Sequence, residues 1–66
     1  MTTRVKINNT VVEIYRGQTW RNDRVYIFDP QLLLSEEEVA SIIEYLYAEG
    51  FIDDRQTPHE VVDSGL

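Results

Sequence analysis

Cysteine is absent from the 66 residues of this chain, so neither a disulfide nor a thiolate metal site can hold the fold together. Secreted domains of this size usually depend on such cross-links, and their absence predicts a protein of the reducing cytoplasm. No apolar run approaches the ~20 residues that span a bilayer. The start, Met1-Thr2-Thr3-Arg4-Val5-Lys6, carries no hydrophobic segment of the kind that directs secretion. No membrane association is expected.

Residues that do chemistry are also scarce. His59 is the single histidine, and it falls in a polar stretch beside Asp53, Asp54 and Glu60. Metal ligation needs ligands held in place by a second set of contacts, so this stretch reads as a solvated acidic segment. The three glycines stand alone at 17, 50 and 65, which excludes a glycine-rich phosphate loop. Without a cysteine, and with no serine on a sharp strand-to-helix turn, nucleophilic catalysis has no foothold. Glu36-Glu37-Glu38 are consecutive, and consecutive positions on a helix point in different directions, so the three cannot converge on one ion. The chain is expected to be no enzyme, with no cofactor, no metal and no evident small-molecule substrate.

What remains is a pattern of short strands and one helix. A chain of this length buries only ~60% of the surface its unfolded form exposes, room for one helix on one small sheet. Arg4 to Ile7 alternates polar and apolar, Asn8-Asn9 supplies residues that tolerate positive φ, and Thr10 to Tyr15 is rich in β-branched residues. That is a tight hairpin over 4–7 and 10–15. Asn22-Asp23 marks a second turn and Arg24 to Phe28 a third strand, stopped by Asp29-Pro30. The placement of Thr19-Trp20, in a strand or a loop, stays open. Ser35 with Glu38 forms a capping box, and Val39, Ile42, Ile43, Leu46 and Tyr47 make an apolar stripe. Gly50 suits a left-handed C-terminal residue, and Phe51 can fold back onto the last turn of the helix. The helix is predicted over 35–49. The expected fold is α+β: a three-stranded antiparallel meander followed by one amphipathic helix on one sheet face. Residues 1–56 form a single domain, and 57–66 form a flexible, polar, acidic tail in which Val61-Val62 could dock as a short edge strand.

The charges are unevenly spread. Residues 1–30 hold five cations against three anions, +2, and residues 31–66 hold Arg55 against nine anions, −8, which together make the formal −6. Parity sorts the strands into two faces. Val5, Ile7, Val12, Ile14, Val25 and Ile27 form an aliphatic face for the helix. The second face gathers Tyr15, Tyr26 and Phe28 beside Arg4, Lys6 and Arg24. Tyrosine and arginine are favoured at protein interfaces, so these six residues are candidate partner-binding positions. Aromatic rings beside cations can also stack unpaired bases, although an acidic chain works against phosphate-driven affinity. A third account has the rings simply packing across strands. Tyr45, on the helix face away from the stripe and flanked by Glu38, Glu44 and Glu49, is a further candidate for a basic partner. The expected function is a non-catalytic interaction or regulatory module that binds a protein partner or self-associates, through this sheet face or the acidic helix. The alternative is binding of single-stranded nucleic acid by the aromatic, basic face.

Overall fold

A computed structural model describes residues 2–63. Strands β1 (Thr2–Ile7) and β2 (Thr10–Tyr15) form the expected hairpin. Asn8 and Asn9 have φ of 48° and 70°, the positive values that both central residues of a type I′ turn require. The turn sets the register, pairing Val5 with Val12 and Thr3 with Ile14. A short 3₁₀ turn over Trp20–Asn22 leads to β3 (Arg24–Phe28), antiparallel to β2; Thr19-Trp20 therefore belongs to a loop. Gly17 is required there by close approach, since a Cβ on it would sit 2.1 Å from the Asn22 Cβ. Its N–H donates to the buried Asp23 carboxylate at 2.9 Å.

Helix α1 (Glu36–Ala48) begins at Ser35. The Glu38 N–H donates to Ser35 Oγ at 3.2 Å, and the Ser35 N–H donates to Glu38 Oε1 at 3.0 Å, a complete capping box. At the other end Gly50 has φ of 82°. Its N–H bonds the Tyr47 carbonyl at 3.2 Å and the Phe51 N–H bonds the Leu46 carbonyl at 2.8 Å, the reciprocal pair of a Schellman motif. Ile42, Ile43 and Leu46 are buried against Val12, Ile14, Val25 and Ile27, with Ile52 closing the core beyond the helix. Tyr47, assigned to the stripe by spacing, instead remains 38% exposed, with the Arg55 guanidinium 4.4 Å above its ring.

The sheet is not the expected three-stranded meander. His59–Val62, placed in the polar tail by the sequence, form a fourth strand β4 that pairs with β3. The order is β1-β2-β3-β4 and the last pair is parallel, so the sheet is mixed. The connection explains the direction. A 13-residue helix rises ~20 Å, enough to return the chain to the end of the sheet where β3 began. A strand entering there beside β3 must run parallel to it. Thr57, 1% exposed, anchors the approach: its N–H and hydroxyl both donate to the Asp54 carbonyl, at 3.1 and 2.6 Å. The fold is thus α+β, one helix on a four-stranded sheet. No helix of the described residues is long and apolar enough to cross a membrane.

Removing the cap should cost ~1 kcal/mol in Ser35→Ala, read as a shift in denaturation midpoint. Leu46 is fully buried, and Leu46→Ala should cost ~2–5 kcal/mol, most of the stability available to a domain this small. An unshifted midpoint in the latter would contradict the packing of α1 on the sheet.

Candidate functional site

The strand registers place six of the seven sequence-derived candidates together. Arg4 lies opposite Glu13, Glu13 opposite Tyr26, and Tyr26 opposite Glu60. Thr2, Tyr15 and Arg24 form the neighbouring row. Opposed residues share a face, so Arg4, Lys6, Tyr15, Arg24, Tyr26 and Phe28 all lie on the face away from α1. The helix packs on the aliphatic side, and the described residues place no second helix over this one. Tyr15, Tyr26 and Phe28 are half-buried, whereas Arg4, Lys6 and Arg24 are exposed.

Part of that half-burial comes from the face itself. The Tyr15 and Tyr26 rings meet edge to face with centroids 5.2 Å apart, a favoured aromatic geometry. Glu13 sits at the centre of the group and is only 7% exposed. Arg4 donates to it through Nε at 3.0 Å and through Nη2, and the Tyr15 hydroxyl donates to its other oxygen at 3.1 Å. The Arg4 guanidinium holds the Glu13 carboxyl below the ordinary range, against burial, which raises it; the Tyr15 hydroxyl helps to lower it. The same hydrogen bond from the other side, together with burial, raises the Tyr15 hydroxyl. The face is therefore less basic than its cations suggest, because Glu13 offsets Arg4 and Glu60 joins through β4.

Tyr45 does not join this group. It is 44% exposed on α1 and lines an open concavity of about 1010 Å³ at the end of the sheet, with Ile7, Leu33, Leu34 and Glu38. Phe28 also reaches that concavity. A second groove, of about 680 Å³, runs between α1 and β4, lined by Leu32, Val39, Ala40, Ile43 and Val61. The sequence does not reveal this groove, because one wall depends on the pairing of β4 with β3. Among the described residues no group of histidine, aspartate and glutamate is placed to hold a metal ion. No known family, curated protein or solved structure matches the chain.

The Glu13 and Tyr15 shifts have opposite pH consequences. A carboxyl lowered by folding contributes stability at neutral pH that is lost as pH falls through its depressed value. A tyrosine raised by folding contributes stability that is lost as pH rises through its elevated value. Carbon-detected NMR titration should find Glu13 ionising below an ordinary glutamate. In Arg4→Ala the value should move upward, since burial then acts with only the tyrosine opposing it. An unmoved Glu13 would mean that the pair contributes nothing to this face.

Proposed function

We propose that this chain is a non-catalytic interaction module of the cytoplasm whose binding surface is the sheet face opposite α1, and that what it binds is a protein. The observation that carries the reading is the half-exposed Tyr15–Tyr26 pair, bordered by Lys6 and Arg24 on a face without a helical cover. Tyrosine rings offer a large contact area for few rotatable bonds, and flanking cations supply hydrogen bonds at the rim. A bordering acidic patch on the partner would match Lys6 and Arg24.

Protein is favoured over single-stranded nucleic acid by the charges on the face. Glu13 and Glu60 share it with Arg4, Lys6 and Arg24, and Glu13 is held ionised by Arg4. Phosphate binding draws its affinity from released counterions, in proportion to the phosphates neutralised, and this face has few net cations to offer.

Affinity capture from native cell extract, with and without nuclease, tests the proposal. The same protein should be retained in both, and replacing Tyr15 and Tyr26 together by Ser should abolish retention. Neither ring supports the helix-facing core, so the variant should keep its fold, checked by its denaturation midpoint. Retention lost on nuclease treatment, with steep loss on added salt, would instead support the nucleic-acid reading.

A further inference from the structure

Among the described residues β1 and β4 are the two edges of the sheet, and their unpaired backbone groups follow from parity. The Val25 N–H bonds the Pro58 carbonyl at 3.0 Å and the Asp29 N–H bonds the Val62 carbonyl at 2.7 Å. Carbonyls at 58, 60 and 62 therefore point inward at β3, and the N–H and C=O groups of His59 and Val61 point outward. In the hairpin, Ile7 and Thr10 flank a two-residue turn and so form its hydrogen-bonded closing pair. Thr3, Val5 and Ile7 then bond β2, and the backbone groups of Arg4 and Lys6 point outward.

Strand direction and side-chain facing agree with one junction. β4 is parallel to β3, and two antiparallel steps relate β3 to β1, so β1 and β4 run the same way. A second copy shifted sideways in the sheet plane presents its β1 parallel to β4. In a parallel pair each residue bonds the two neighbours of the residue opposite it. The outward groups of His59 and Val61 thus meet those of Arg4 and Lys6 when Val61 lies beside Val5 or Ile7, and Glu60 then lies beside Arg4 or Lys6. Both copies keep their helices on the same side.

The geometry points to head-to-tail self-association, in which β1 of one copy adds as a parallel strand to β4 of another and the sheet continues across the junction. Side-chain chemistry matches on both faces. On the helix side Val61 is 41% exposed at the apolar groove beside α1, and Val5 or Ile7 of the second copy extends that surface. On the other side an anion meets exposed cations. Pairing like with like fails the same test, because β1 against β1 sets cations together. The contact is heterologous, leaves a free edge at each end, and propagates instead of closing into a dimer. It uses the sheet edges and goes beyond the partner-binding face.

Sedimentation velocity of the full chain over a concentration and salt series tests this. The weight-average mass should rise above the monomer with concentration and fall with salt. Glu60→Lys and Lys6→Glu should each weaken association about tenfold, by replacing an attraction with a repulsion. An equimolar mixture of the two should restore it, since each supplies the charge that the other's edge then needs. Val61→Pro removes an outward N–H while leaving the inward carbonyls of β4 in place, and should abolish assembly. The Tyr15 and Tyr26 double serine variant should assemble as the parent does, which separates this junction from the partner-binding face. A denaturation midpoint near that of the parent qualifies each variant as folded. A monomer at every concentration, or association indifferent to Glu60→Lys and Lys6→Glu, overturns the proposal.

Discussion

A sheet has two faces, and the described chain has one helix to cover them. The aliphatic parity of β1, β2 and β3 decides which face is covered, because only the side carrying Val12, Ile14, Val25 and Ile27 can receive Ile42, Ile43 and Leu46 without burying polar groups. A helix is ~10 Å across, while four strands spaced ~4.8 Å apart are nearly twice as wide. The shortage is felt twice. The opposite face keeps no helical layer, and on the covered face the flank above β4 stays open, leaving Val61 exposed although its partner Ile27 is fully buried. Both surfaces with room for a partner follow from that single deficit.

Local signals were readable because their physics is local. Two adjacent asparagines suffice for a type I′ turn, and Ser35 with Glu38 suffices for a cap, since each device closes within a few residues. Alternation then sorted the side chains of the first three strands correctly, which is why six scattered candidates converge on one face. Of strand β4 the sequence offers Val61-Val62 as an edge strand, but nothing near it specifies its start, its partner or its direction. His59-Glu60-Val61-Val62 does not alternate cleanly, and its hydrogen-bonding partner lies 34 positions earlier, across the helix. Parallel pairing depends on the crossover geometry, and composition carries no trace of that.

The polar contacts that tie the loops down were hidden for the same reason. Arg16 leaves the end of β2 and donates to the carbonyls of Gly50, at 3.3 Å, and Phe51, just past the C-terminus of α1. It also approaches Asp23 at 3.5 Å and Asp53 at 3.3 Å. One side chain thereby joins the sheet to the exit from the helix, giving a donor to two carbonyls of the loop that follows α1. Asp29 acts similarly after β3, its carboxylate accepting from the Leu33 and Leu34 N–H groups at 2.9 and 3.1 Å. This stabilises a loop in which Leu32 holds a φ of 55°, a conformation that costs a residue with a Cβ ~1–2 kcal/mol. From sequence, Asp29 marks only the end of a strand before proline, and Arg16 enters only the charge count.

The uneven charge of the two halves also acquires a direction. Strand order places β1, with Arg4 and Lys6, at one edge and β4, with Glu60, at the other. Helix α1 adds three glutamates in its first turn and no cation in its last. The gradient therefore runs across the sheet from edge to edge, as well as between a mixed face and an acidic helix. On the uncovered face it is softened at the centre, where Glu13 takes up Arg4, and it persists at the margins, where Lys6 and Glu60 are exposed. An isolated sheet with two like-charged edges would repel its own copies at both. In the proposed junction the cationic β1 edge of one copy faces the anionic β4 edge of the next, and the charges favour that orientation over β1 against β1.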